Sequence, residues 1–158
     1  MRMPISSRII YTVASVMLPI GAFNADYNAS HQFNPDWTPH ARFHGAQTLS
    51  FSVLLAVATI YFAWRGSEDR RSSVIATSIF CMVYWVAQAF AIFFPGTAFV
   101  DPRFDLPSGY IFGVPGQLIA ELVALILTLV AAWLALKPGA RWIVTPANGK
   151  PRNASASV

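Results

Sequence analysis

An all-α bundle of four transmembrane helices, with both termini cytoplasmic and two structured outer loops, is the fold this chain encodes. Three features point to it: its composition, its four apolar runs and the placement of its basic residues. Hydrophobic residues make up 55% of the 158 and charged residues 11%. Mean hydropathy is +0.49. A soluble domain carries about 25% charged residues, so a water-soluble class is excluded at the outset.

The apolar runs predict spans over about 9–23, 44–64, 74–94 and 115–136. A helix needs about 20 residues to cross a hydrocarbon core about 30 Å thick. The third and fourth runs reach that length directly. The second reaches it by including the turn that holds His44, and the first is short and interrupted by Pro19. Arg2 and Arg8 before an apolar stretch also fit a signal peptide cut near Ala25, but Phe23 is a poor residue to precede a cleavage site. The first run is therefore read as an uncleaved helix.

With both termini inside, Arg2, Arg8, Arg65, Arg70, Arg71, Lys137, Arg141, Lys150 and Arg152 are cytoplasmic. Arg42 and Arg103 alone are outside. This positive-inside bias fixes the orientation. The net charge of +4 then reflects contact with anionic membrane lipids rather than nucleic acid. A bacterial inner membrane is the expected location. Residues 1–142 form the membrane domain, and the Pro-, Gly- and Ser-bearing stretch 143–158 is expected to be a disordered cytoplasmic tail.

Of the connections, Arg65–Ser73 is a short charged turn on the inner side. Two longer segments face outward, Asn24–Gln47 and Gly96–Val114. Long ordered loops are where function often sits. Cys81 stands alone in the third run, which excludes paired-thiol redox chemistry. No phosphate loop and no dinucleotide fingerprint occurs.

All three histidines lie in the first outer segment, which reads NADYNASHQFNPDWTPHARFHGAQ. Thr38-Pro39 is a helix start, with Thr38 as N-cap and Pro39 as first helical residue. His40 and His44 then share one helix face, and Gln47 continues it. Two imidazoles at this spacing can share a metal ion or a proton. His31 is the candidate third metal ligand, with Asp26 or Asp36 completing the set. Such donors suit one divalent ion of zinc, iron or manganese. The competing reading is structural: Asn and Asp residues here also serve as turn formers.

Glu121 is an ionisable residue inside the fourth run, where its cost normally turns it toward the bundle interior. It follows Gln117 by one helical turn. Counted from the outer surface it lies about 9 Å deep, a depth that His44 and Gln47 share. Gln88 of the third run belongs to a similar layer. A pocket lined by Trp37, His40, His44, Gln47, Gln88, Gln117 and Glu121, between the second and fourth helices, follows from these depths. His40, His44 and Glu121 are its candidate catalytic groups.

The run Asn28-x-x-His31-x-x-Asn34-Pro35-x-Trp37-x-Pro39-His40-Ala41-Arg42-Phe43-His44 resembles the signature of a small four-span membrane family of bacteria and fungi with no assigned function. The resemblance implies a four-span fold along the whole chain and no particular reaction. Three histidines are too few for the histidine-rich diiron membrane oxygenases. Open readings are a small membrane enzyme acting on a lipophilic substrate by acid–base or metal-assisted chemistry, a non-catalytic binder or carrier of a lipid, quinone or metal ion, and an accessory subunit of a membrane complex.

Overall fold

In a computed structural model, which describes residues 1–144, the chain forms α1 (Ile5–Asp26), α2 (Pro39–Trp64), α3 (Arg70–Ala91) and α4 (Gly116–Leu136). All four helices are long and apolar enough to cross a membrane. Apart from Ile143 and Val144, the tail expected over 143–158 lies outside the described residues.

The helix limits have local causes. α1 is longer than its apolar run because Ser6–Arg8 and Asn24–Asp26 continue the helix, and Pro19 sits inside it without ending it. Thr38 caps α2 as expected, its hydroxyl accepting from Ala41 N at 3.2 Å with Pro39 following. α3 begins earlier than its apolar run, inside the charged turn. Asp69 accepts there from Ser72 N at 3.0 Å and from the Ser72 hydroxyl at 2.5 Å. It also ends earlier, at Ala91. Pro95 disfavours the helical conformation at Phe94 and supplies no N–H of its own.

α1 and α3 occupy opposite corners of the bundle, and each packs against both α2 and α4. Along α2 and α4 most of the facing residues are small. On α2 they are Ser52, Ala56, Thr59 and Ala63. On α4 they are Ala124, Thr128, Ala131 and Ala135, at the same spacing. Large apolar side chains such as Leu54, Val57, Leu129 and Trp133 point outward. This inversion is the membrane pattern, in which small residues let backbones approach while lipid solvates the bulky ones.

Hydrogen bonds tie the corners together. Tyr11 Oη and Ser78 Oγ are 2.7 Å apart between α1 and α3. Thr128 donates to Cys81 Sγ at 3.3 Å between α4 and α3. Cys81 is buried and free, as a small core residue.

The end where α1 begins and α4 ends is closed by main-chain pairing. Arg2 N donates to Ile143 O at 2.8 Å, and Ile143 N to Arg2 O at 2.9 Å. The N-terminal ammonium donates to Ser67 O at 2.9 Å. Arg8 and Lys137 sit over the rings of Trp64 and Trp133 at 4.6 and 4.7 Å. Long basic side chains that lay their stems on apolar surface belong at a membrane interface.

The opposite end, here the loop end, carries both long connections. The second folds into two single 3₁₀ turns, Pro102–Phe104 and Pro107–Gly109, and a hairpin of β1 (Tyr110–Ile111) with β2 (Val114–Pro115). Phe112 and Gly113 form its tip with φ of 51° and 79°, the backbone of a two-residue type I′ turn.

Candidate functional site

The first loop is a compact hydrogen-bonded platform. Asn28 Oδ1 accepts from Ser30 N at 2.8 Å and from Ser30 Oγ at 2.6 Å. Asn34 is buried; its Oδ1 accepts from Asp36 N at 3.0 Å, and its carbonyl accepts from Arg42 Nη2 at 3.0 Å. The turn-forming residues therefore build the loop. Trp37 seals it against α2. Its ring makes a T-shaped contact with His31, centroids 5.5 Å apart, and lies close against Gly45.

This platform aims His31 at the C-terminus of α1. Ser30 Oγ lies 2.7 Å from His31 Nδ1, and His31 Nε2 lies 3.8 Å from Asp26 Oδ1. The Ser30 hydroxyl has one proton, and it is directed to Asn28. Ser30 Oγ is then placed to accept from Nδ1–H, with Nε2 on the other side of the ring. That nitrogen faces the carboxylate.

Beside this pair opens a cavity of about 630 Å³. Asp26, His31, Gln88, Gln117 and Thr97 stand at its loop end, while Phe51, Leu55, Val83 and Tyr84 line it deeper in the bundle. From Ala91 to Val83 along α3 is about 12 Å at 1.5 Å per residue. Gln88 Nε2 donates to Gln117 Oε1 at 3.5 Å, joining α3 to α4 at the cavity wall. The volume lies within the range of ordinary small-molecule sites, about 300–1,000 Å³.

The expected site residues fall into four places. His31, Gln88 and Gln117 line the cavity. His40, His44 and Gln47 form their own chain along the exposed start of α2: the two Nε2 atoms are 3.1 Å apart, and His44 Nδ1 lies 3.2 Å from Gln47 Oε1. Trp37 supports His31 from behind. Glu121 is half-buried on α4, and its Oε1 has no hydrogen-bond partner.

A single site between the second and fourth helices does not form, because α2 and α4 stand on the remaining diagonal of the bundle. The cavity lies instead where residues of α2 and α3 face each other, with Gln117 of α4 at its edge. Nor do the three histidines converge. Among the described residues, no three His, Cys, Asp or Glu side chains come together to hold a metal ion. His31 is turned to Asp26 and Ser30, away from the pair on α2.

Sequence reasoning missed the apolar wall and the residues Thr97–Phe99 that close the loop end. Helical spacing contained part of the signal. Tyr84 precedes Gln88 by one turn, and Thr48, Phe51 and Leu55 repeat at i, i+3 and i+7, one face of α2.

A family model described as "Family of unknown function (DUF6640)" matches residues 10–141, well over half of the chain. No curated protein and no solved structure matches it.

Proposed function

The chain belongs to the DUF6640 family, whose function is unknown, and from its cavity we propose a membrane protein that takes up a lipophilic small molecule with a hydrogen-bonding head. The tail lies against Phe51, Leu55 and Val83, and the head sits among Asp26, His31, Gln88 and Gln117. His31 exchanges a proton with that head at Nε2, and Asp26 stabilises the resulting imidazolium. The protein acts as a small membrane enzyme by acid–base chemistry, with its termini on the cytoplasmic side of a bacterial inner membrane.

One observation carries this reading: Asp26, His31, Gln88 and Gln117 gather toward the loop end of a cavity whose deeper wall is apolar apart from Tyr84. An amphipathic ligand matches that division, its head meeting the polar groups and its tail the apolar wall. The 3.8 Å between His31 and Asp26 exceeds a hydrogen bond and leaves the imidazole free to bond to a ligand. Glu121 lies one turn deeper than Gln117 on α4 and is not part of the cavity wall.

The test is native mass spectrometry of protein released from nanodiscs prepared from its host membrane. A retained amphipathic mass is expected in the wild type. It is lost when Ala87→Trp fills the cavity and kept in His40→Ala. A wild type that carries no bound mass, or one whose bound mass survives Ala87→Trp, overturns the reading.

A further inference from the structure

We propose that His40 and His44 form a two-point chelate for a zinc ion, a site separate from the cavity and independent of the reading above. Both residues sit in the first two turns of α2, held in place by the Thr38 cap and Pro39. Their Nε2 atoms are 3.1 Å apart. Two nitrogens on one tetrahedral zinc, each about 2.0–2.1 Å from the metal, are separated by about 3.3 Å. The rings therefore need to open by only a few tenths of an ångström to admit the ion.

The surroundings fix how the rings present their lone pairs. Gln47 Oε1 is an acceptor, so the 3.2 Å contact to His44 Nδ1 places the proton on Nδ1. His44 Nε2 then carries a lone pair directed at His40. Without metal, His40 Nε2–H must fill that gap. When His40 carries its proton on Nδ1 instead, both Nε2 atoms are free to ligate, and a small rotation of the rings turns them toward a cation that replaces the shared proton. Hydrogen bonding at the second ring nitrogen is the usual way in which proteins orient a metal-bound histidine.

Phe43 flanks the site, its ring nearly parallel to that of His40 at 6.2 Å. Both imidazoles are exposed, so an ion has direct access and water takes the remaining positions. His31 does not belong to this site. It is turned to Ser30 and Asp26.

The experiment is calorimetric titration of zinc chloride into chelator-stripped, tag-free protein in detergent. X-ray absorption of the loaded sample then counts the imidazoles on the metal. We expect one zinc per chain with two imidazole nitrogens, and loss of that binding in His40→Ala and separately in His44→Ala. His31→Ala should bind as the wild type does, and Gln47→Leu should bind about 10–100-fold more weakly. Because both histidines are exposed on a helix, these variants keep the fold, which circular dichroism checks. No zinc binding, or binding indifferent to His40 and His44, overturns the proposal. Half an equivalent with four imidazoles per metal would assign the ion to a bridge between two copies and also overturn it.

Discussion

The indole of Trp37 rests directly on the backbone of Gly45. A Cβ added at Gly45 would come within 3.0 Å of Trp37 Cζ3 and within 3.0 Å of Gln32 Oε1. The first loop is thus seated on α2 at the one point where α2 has no side chain. Trp37 in turn backs His31, so the seating of the loop and the aim of His31 are one structural event.

Replacing Gly45 by alanine should lift the loop. A small-to-large change in a close-packed contact costs about 1–3 kcal/mol. We expect Gly45→Ala to lower the thermal midpoint and to weaken retention of the cavity ligand. Scanning calorimetry and native mass spectrometry read the two effects. An unchanged midpoint would mean that the tryptophan does not bear on this position.

A second prediction concerns the small-residue seams. Ala131 is fully buried where α4 meets the bundle core. Ala131→Leu should destabilise by about 1–3 kcal/mol through overpacking. Leu129→Ala, on the outward face, should change stability far less, because lipid or detergent fills the space. Equal losses at the two positions would contradict the inverted packing.

The α1–α3 hydrogen bond is a third. Tyr11→Phe removes the partner of Ser78 Oγ. Interhelical hydrogen bonds in membrane proteins contribute about 0.6 kcal/mol on average and at most about 1.7. A double-mutant cycle of Tyr11→Phe with Ser78→Ala should return a coupling in that range, and zero coupling would rule the contact out.

The fourth concerns the two long loops. Arg103 pairs with Asp101 within its own loop and with Asp36 of the first loop. The Arg103 side chain, and then its backbone N–H, hold the Asp101 carboxyl below the usual carboxylate range. A depressed carboxyl contributes stability that is present above its unfolded value, about 3.9, and lost as pH falls through the lower folded value. The clasp should therefore hold from neutrality to about pH 4 and loosen below it. Hydrogen exchange over residues 96–115 should quicken in that acid range. In Arg103→Ala it should already be fast at neutral pH.

Much of the fold was legible in particular residues. The four apolar runs became α1 to α4, and Thr38-Pro39 capped α2. The His40–His44–Gln47 alignment followed from i, i+4 and i+3 spacing along one helix. What misled was depth. Counting residues places His44, Gln47 and Glu121 in a common layer, and a common layer does not make neighbours of helices on a diagonal.

The sequence by itself determined whatever lies within one helix: its length, its caps and the faces set by a 3.6-residue period. It also determined the membrane character, since no arrangement of this composition hides so much apolar surface from water. The tertiary structure alone decided the order of helices around the bundle, the turn of His31 toward Asp26, and the cavity where α2 and α3 face each other. The physical reason is that contacts within a helix are set by the geometry of its own backbone. Contacts between helices depend on how side chains from distant parts of the chain interlock and on the path of the loops, and neither leaves a periodic trace in a single sequence.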